Sequence, residues 1–303
     1  MAPRSITVLA GGLGGSRLVD SLARAAGPEA VTAVVNVGDD LELHGLRISP
    51  DLDTIAYTLA GLLDEERGWG VRGETYSTAD TLTRLGAETW FTLGDRDIGL
   101  HLVRTEALSR GEPLSEVTAR LAEALGLGVR LLPATDDELR TFVLTDEGAL
   151  DFQTWFVRRR HADAVLGVEL RGAARPAPGV LEAISDAELV VLAPSNPFVS
   201  IAPILAVEGI REALASRRVA AVSPIVGGEA LRGPLAEMLA SLGFDPSAGG
   251  VAAYYGDLVD TLVLDPADAA LASEIPGAVV APIVMVEPGS RAEVGRGVLE
   301  ALA

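Results

Sequence analysis

Carboxylates come in closely spaced pairs at two places near the start of this chain of 303 residues. Asp51 and Asp53 stand two positions apart in Ser49-Pro50-Asp51-Leu52-Asp53-Thr54, and Asp39 and Asp40 are adjacent. Mg²⁺ in proteins is commonly held by one or two carboxylates together with phosphate oxygens and water. We therefore predict a magnesium ion shared with a phosphate-bearing substrate, with Asp40, Asp51 and Asp53 as candidate ligands. A helix start capped by Asp51 is the alternative.

A glycine-rich segment stands ahead of these pairs, between a short apolar run and a helical pattern. Backbone amides at a strand-to-helix turn, together with the helix dipole, suit a phosphate group. The segment is not the dinucleotide fingerprint, because Arg17 stands where its third glycine would be. A tight turn without a ligand is the alternative. The residues predicted to bind the nucleotide or its phosphates are Gly11, Gly12, Gly14, Gly15 and Ser16, joined by Asn36, Asp39, Ser195 and Asn196 at the ends of later predicted strands.

A further charged segment, Leu93-Gly94-Asp95-Arg96-Asp97, lies at a predicted helix start and is followed by His101. Carboxylates and a guanidinium in so short a stretch form a network that suits an anionic or ring-bearing ligand. A glycine turn with Asp95 as the helix cap explains the same pattern without a ligand.

The composition excludes several mechanisms. All 24 of the Lys and Arg residues are arginine, and the chain has no cysteine. These absences exclude a P-loop lysine, a pyridoxal Schiff base, a thiolate nucleophile and a cysteine-ligated metal centre. The net charge of −19 disfavours nucleic acid and anionic membranes as partners, although a local site can still bind a small phosphorylated ligand. We see no uncharged apolar stretch of about 18 residues and no signal-peptide pattern, and therefore expect a cytoplasmic protein.

The elements that must position these residues follow an alternating pattern. Apolar runs at 6–10 and 33–37 flank a helical pattern at 17–26, and strand-like runs return at 189–193, 218–222, 261–264 and 278–285. Helices are predicted near 55–63, 203–215, 229–242 and 289–302. Strands that alternate with helices predict an α/β fold with a mainly parallel sheet. We expect a Rossmann-like nucleotide-binding core formed by residues 1–60 and 165–303, interrupted by an inserted segment of helices and short strands at 61–164.

These segments, in this order, resemble the 2-phospho-L-lactate transferase (CofD) family over nearly the whole chain. Each motif alone is weak evidence, but the ordered set is specific. The further matching segments are Trp69-Gly70, Leu132-Pro133, Phe152-Gln153, Pro194-Ser195-Asn196-Pro197, Ala221-Val222-Ser223-Pro224-Ile225 and Gly250-Val251-Ala252.

The resemblance implies an enzyme of coenzyme F₄₂₀ biosynthesis. The acceptor would be the deazaflavin FO (7,8-didemethyl-8-hydroxy-5-deazariboflavin), and the donor a guanosine diphosphate ester of lactate or of a related acid such as enolpyruvate. In that reaction a ribityl hydroxyl of FO attacks the phosphorus that bears the acid, and GMP leaves. The family uses Mg²⁺ and is usually dimeric, so we expect a homodimer that acts on small molecules.

The resemblance also implies roles for individual residues. Asp53 is the carboxylate that best matches the family's acceptor and metal site, and Asp51 and Asp53 are the expected catalytic pair. Family members carry a lysine where this chain has Thr92, and a threonine side chain can form a hydrogen bond but supplies no charge. The residues expected to contact FO are Asp53, Thr92, Asp95, Arg96 and His101.

Two other classes of protein share parts of this pattern. A regulatory nucleotide-sugar-binding protein of a related Rossmann-like family would have the glycine segment and the sheet but would transfer no phosphate. The segments at 49–54 and 94–97 favour the transferase. A nicotinamide-dependent oxidoreductase is disfavoured, because Arg17 replaces the third glycine of its fingerprint.

Overall fold

The computed structural model describes residues 3–231 and 233–303, which form strands β1 to β14 and helices α1 to α11. The strands are β1 (Ile6–Ala10), β2 (Val31–Val35), β3 (Leu41–Leu43), β4 (Leu46–Ile48), β5 (Arg130–Pro133), β6 (Arg140–Thr145), β7 (Gly148–Asp151), β8 (Gly167–Arg171), β9 (Leu189–Leu192), β10 (Val219–Val222), β11 (Ile225–Val226), β12 (Glu229–Ala230), β13 (Thr261–Leu264) and β14 (Val279–Val280). The helices are α1 (Gly12–Ala26), α2 (Pro50–Leu59), α3 (Ser77–Arg84), α4 (Asp95–Ser109), α5 (Leu114–Ala124), α6 (Val180–Asp186), α7 (Ala202–Leu205), α8 (Ile210–Leu214), α9 (Leu235–Ser241), α10 (Ala248–Tyr255) and α11 (Arg291–Ala301). Two π-helical turns, Thr154–Arg158 and Pro197–Ile201, complete the elements that surround the site.

A seven-stranded sheet forms the centre of the molecule, in the order β14-β13-β10-β9-β1-β2-β5. All of its pairings are parallel. The chain moves from β1 to β2 and β5 on one side, then returns to β9 beside β1 and continues in the opposite direction. This is the strand order of a doubly wound Rossmann-like sheet, and it places the switch point between β1 and β9. The predicted α/β fold is confirmed.

Both faces of the sheet are buried, as the continuous apolar runs predict. Alternate side chains of β1 face opposite sides, so that Val8 packs with α1 and α11 while Leu9 packs against the layer that contains α6 to α10. In the described part of the chain, no helix has the length and apolar character needed to cross a bilayer.

The inserted segment differs from its predicted boundaries at two strands. Residues 130–133 fall inside the predicted insert, but β5 pairs with β2 and forms the edge of the main sheet. The run Val129-Arg130-Leu131-Leu132 is short and includes a charged residue. It is therefore not recognised as a strand after the helical pattern that precedes it. The rest of the predicted insert contains α3, α4, α5, β6 and β7. Strands β6 and β7 form an antiparallel sheet with β8, in the order β7-β6-β8, although β8 lies beyond residue 164, in the segment predicted as core. The division of the chain into two units otherwise stays a prediction.

Several helix boundaries also differ from those predicted. Helix α1 begins at Gly12 and not near 17, because the glycine segment forms the first turn of the helix. The helix predicted at 203–215 is divided into α7 and α8, and Gly209 adopts a φ of 79° before α8. The helix predicted from 229 begins at Leu235, because Gly227 and Gly228 both have positive φ and close a tight hairpin between β11 and β12. The strand predicted at 278–285 pairs only at Val279–Val280.

Helices α1 and α11 cross closely at a glycine. A Cβ on Gly295 would lie 2.1 Å from the carbonyl oxygen of Ser21, whereas a Cβ on Gly297 of the same helix would meet nothing nearer than 4.0 Å. Gly295→Ala should therefore force the helices apart and destabilise the fold by about 1–3 kcal/mol. Gly297→Ala should leave stability unchanged or raise it by up to about 1 kcal/mol. Urea unfolding of both variants checks this, and equal stabilities would contradict the close crossing.

Candidate active site

Three polar segments meet at the carboxyl ends of neighbouring strands. Gly11 follows β1, Asn36 follows β2, and Ser195 lies three residues beyond β9. Since β9, β1 and β2 are adjacent, these residues lie at the switch point of the sheet, where open α/β sheets bind their ligands.

The first turn of α1 is already engaged by protein groups. The amide of Gly11 donates to Ser195 Oγ at 3.1 Å, and the amide of Gly12 donates to Asp51 Oδ1 at 2.7 Å. A carboxylate at a helix N-terminus interacts favourably with the helix dipole. Asp51 thus accepts the hydrogen bond that the sequence analysis expected a phosphate to accept. A substrate phosphate would bind the amides of Gly11 and Gly12 together with Ser195 and Asp51, or in place of them.

Close packing requires glycine at two positions of this turn. A Cβ on Gly14 would lie 2.5 Å from the carbonyl oxygen of Pro194, and one on Gly11 would lie 2.4 Å from Asp51 Oδ2. The predicted phosphate role of these glycines, and of Gly15 and Ser16, stays a prediction. The Ser16 hydroxyl itself donates to the carbonyl oxygen of Leu13 at 2.9 Å.

Asn36 connects two of the predicted carboxylates. Its side chain is fully buried, and Nδ2 donates to Asp39 Oδ1 at 2.7 Å and to Asp51 Oδ2 at 2.9 Å. Its Oδ1 accepts the Gly38 amide at 2.8 Å. From the insert, Gln153 Nε2 donates to Asp39 Oδ2 at 3.2 Å. One amide group therefore holds Asp39 and Asp51 side by side.

Burial raises the pKa of three of these carboxyl groups. The pKa of Asp39 is raised well above its usual value, by burial first and by the nearby charge of Asp51 second. Burial likewise raises the pKa of Asp40 to about 8 and that of Asp51 to about 6. Asp40 Oδ2 accepts the Ser49 hydroxyl at 2.6 Å, whereas Asp40 Oδ1 is buried without a hydrogen bond among the described residues. The cluster of Asp39, Asp40 and Asp51 therefore has too little positive charge nearby to keep all three carboxyl groups ionised.

A divalent cation fits this donor set. Asp40 has an unpartnered buried oxygen, and Asp51 lies beside Asp39, so an added cation would relieve the mutual repulsion of the carboxylates. Within residues 3–231 and 233–303, no three acidic or imidazole side chains are arranged to hold a metal ion alone. Such a site would need substrate oxygens and water to complete it, as Mg²⁺ sites at phosphates commonly do.

Asp53 points to a different partner from Asp51. Positions i and i+2 of a helix do not face each other, and the predicted pair therefore separates on α2. Asp53 Oδ2 accepts Arg104 Nη1 at 3.0 Å, and Arg104 Nη2 makes a second contact with Asp53 Oδ1. His101 Nδ1 lies 3.7 Å from Asp53 Oδ2 and 3.3 Å from Arg104 Nη1. The predicted metal role of Asp53 thus competes with an internal cation.

A second pair of groups joins α2 to α4. The Tyr57 hydroxyl donates to Asp97 Oδ1 at 2.6 Å, and both side chains are buried. Burial raises the pKa of Asp97 to about 6. Asp97, His101 and Arg104 are spaced i, i+4 and i+7 and share one buried face of α4.

The other predicted acceptor residues lie within the insert. Asp95 accepts hydrogen bonds from the Thr75 hydroxyl at 2.5 Å and the Thr78 amide at 3.0 Å, and these lower its pKa to about 2. Arg96 Nη1 donates to the carbonyl oxygen of Arg72 at 3.1 Å, and Thr92 is exposed. Of the residues predicted from the 92–101 segment, the structure brings His101 into contact with Asp53.

The two residues predicted beyond β9 help to build the turn there. The Ser195 hydroxyl donates to the Gly11 carbonyl oxygen at 2.7 Å, and Asn196 Oδ1 accepts the Phe198 amide at 2.9 Å. Their nucleotide contacts stay a prediction.

Sequence reasoning missed Arg104, Tyr57 and Gln153 as residues of the site. The spacing of Asp97, His101 and Arg104 could have indicated the site. These three polar residues share one face of a helix, and polar residues are rarely buried unless they have partners. Gln153 gave no such signal, since the tertiary fold brings it to Asp39 from 114 residues away.

The fold and site together define a Rossmann-like α/β enzyme with a cluster of buried carboxyl groups at the strand ends. A solved structure of a UPF0052-family protein from Bacillus halodurans supports the fold, with a TM-score of 0.64, 17% identity and 99% of each chain covered.

The family follows from sequence comparison. The family model described as 2-phospho-L-lactate transferase CofD matches residues 6–276. A phosphoenolpyruvate transferase of Thermobifida fusca is 46% identical over 281 residues, which cover 87% of each chain. Relatives of the same name are 43% identical in Streptomyces griseus, with 97% of each chain covered, and in Mycobacterium tuberculosis, with 96% of each covered. The chain belongs to the 2-phospho-L-lactate transferase (CofD) family, and it is a transferase of a phospholactyl or phosphoenolpyruvyl group in coenzyme F₄₂₀ biosynthesis.

The buried imidazole beside Asp53 gives a testable pH effect. Burial lowers the pKa of His101 from 6.5 to about 4, so the folded protein holds it neutral at pH 7. Between pH 6.5 and about 4 the unfolded chain binds a proton at His101 that the folded protein does not. The contribution of the neutral His101 to the free energy of unfolding is therefore lost as the pH falls through this range. NMR titration of the ring should show no midpoint near 6.5. Any excess in the free energy of unfolding of the wild type over His101→Gln should shrink as the pH falls toward 4. A difference that stays constant with pH would contradict the lowered pKa of His101.

Proposed function

We propose that this transferase moves a phosphoenolpyruvyl group from a guanosine diphosphate ester to a ribityl hydroxyl of FO, releasing GMP. Relatives that are 43–46% identical carry the name phosphoenolpyruvate transferase, which favours enolpyruvate over lactate as the acid. The new bond joins the hydroxyl oxygen to the phosphorus that bears the acid. The bond from that phosphorus to the oxygen shared with the guanylate breaks, and the hydroxyl loses its proton.

The observation that carries this proposal is the position of the carboxylates relative to α1. Phosphoryl transfer depends mainly on positioning and on neutralising charge, and requires little covalent participation by the protein. The start of α1 and Ser195 lie together at the strand ends, joined by the hydrogen bond from the Gly11 amide to Ser195 Oγ, and a helix start suits a phosphate of a nucleotide diphosphate. Asp53 lies beneath the insert, on the other side of α2, where it would orient the attacking hydroxyl.

The proposal includes Mg²⁺, with Asp40 and Asp51 as the side chains that would hold it. When bound, the ion would neutralise phosphate charge in a site whose own carboxylates have raised pKa values. Asp53 is assigned to the acceptor, because both of its oxygens already contact Arg104. The chain's own Asn36 and Ser49 would keep Asp51 and Asp40 in place.

Substitution of Asp53 and Asp51 tests this division of roles. With FO, Mg²⁺ and each candidate donor, the wild-type product identified by mass should be the enolpyruvyl phosphodiester of FO. Asp53→Asn and Asp51→Asn should each lower the rate by at least about 10²-fold, because each removes a charge that acts in the transition state. Asp53→Asn should weaken FO binding, followed by its fluorescence, and Asp51→Asn should leave FO binding nearly unchanged.

The control is Glu169→Gln, which removes an exposed carboxylate that pairs with Arg171 on β8. It should retain the wild-type rate. Turnover near the wild-type value in Asp53→Asn would contradict the role assigned to Asp53. A wild-type protein that binds the nucleotide but forms no FO product would contradict the proposed reaction.

A further inference from the structure

Arg104 joins the insert to the core at the proposed acceptor site. It lies on α4, 51 residues from Asp53, and only 2% of its surface is exposed. Both terminal nitrogens contact Asp53, one to each carboxylate oxygen. We propose that Arg104 is a positioning residue of the transfer reaction, which fixes the Asp53 carboxylate so that it can orient the acceptor hydroxyl. This inference rests on the proposed function.

The geometry of the pair restricts Asp53 in a way that a single contact would not. A guanidinium is planar and offers two parallel donors to a carboxylate, which fixes the plane of the carboxylate as well as its position. An ionised carboxylate accepts about four hydrogen bonds, so Asp53 keeps acceptor capacity beyond its two contacts with Arg104. Arg104 therefore leaves Asp53 able to bind the acceptor while preventing its rotation.

The surroundings of the pair support an orienting role. A buried ion pair adds little net stability, because removing two charges from water offsets much of their attraction. Arg104 also lies near the carboxyl group of Asp40 and the neutral hydroxyl of Tyr57. It thus supplies positive charge at the point where the acidic cluster meets the insert. His101, which packs against both members of the pair, limits their movement further.

The chain contains a matched control for the loss of a buried arginine. Arg291 is 1% exposed and donates to Asp20 at 3.1 Å and to Glu65 at 2.5 Å. It lies at the start of α11, against the third turn of α1, and has no part in the proposed reaction. Arg291→Gln should damage the fold in the same manner as Arg104→Gln, without moving Asp53.

The experiment compares these variants by acceptor kinetics, by fluorescence titration of FO binding and by thermal unfolding. Arg104→Gln should lower kcat by about 10²-fold, the scale expected when a reacting group is misplaced. It should also weaken FO binding. Arg104→Lys keeps the charge but loses the two-point contact, so it should retain only part of the wild-type kcat and part of the wild-type affinity for FO. Arg291→Gln should keep the wild-type kcat per folded molecule.

A double-mutant cycle separates positioning from a general effect on the fold. In an Asp53→Asn background, Arg104→Gln should change kcat by less than about threefold, because the group through which it acts is already altered. An equal loss in both backgrounds, or a loss in Arg104→Gln no greater than in Arg291→Gln, would overturn the inference. If Arg104→Gln does not fold, Arg104→Lys and Arg291→Lys make the same comparison. Failure of the wild-type protein to form the FO product would instead overturn the proposed function.

Discussion

Burial of three carboxyl groups, Asp39, Asp51 and Asp53, beside the half-buried Asp40 is the constraint on which the site depends. Charged groups removed from water are costly unless hydrogen bonds or opposite charges compensate for them. The structure compensates Asp51 with the Gly12 amide and Asn36, and Asp40 with the Ser49 hydroxyl. The parallel sheet makes this possible, because adjacent strands deliver amides, an asparagine and a helix start to one edge.

The insert completes the site as well as covering it. It contributes Arg104 to Asp53, Gln153 to Asp39, and Asp97 to the Tyr57 hydroxyl. Each contact joins a polar group of the insert to the loop after β2 or to α2, so displacement of the insert would expose unpaired charges. A phosphoryl-transfer site benefits from the exclusion of water, because electrostatic interactions are stronger in a medium of low dielectric.

Much of the fold could be predicted from the sequence, because strands and helices leave local patterns of apolar residues. Continuous apolar runs predicted β1, β9 and β10, and the ordered motifs predicted the family. The sequence could not separate Asp51 from Asp53 in function, because spacing on a helix is informative only once the helix start is known. Gln153 and the edge strand β5 depend on tertiary contacts, which no local pattern specifies. The roles of Ser195, Asn196, Asp95 and Arg96 stay predictions, and each of these residues has a protein partner that no local pattern specifies.

The complete absence of lysine acquires a physical meaning in this site. Thr92 stands where the resemblance to the family implies a lysine, and it is exposed and brings no charge. Arg104 is the built-in cation of the carboxylate cluster, and it is committed to Asp53 by a two-point contact. Burial raises the pKa of Asp40 to about 8 and that of Asp39 well above its usual value, so the free protein holds these groups largely protonated at pH 7. Under the proposed function a divalent cation that arrives with the donor diphosphate would favour the ionised form of these carboxyl groups and would neutralise phosphate charge at the same place.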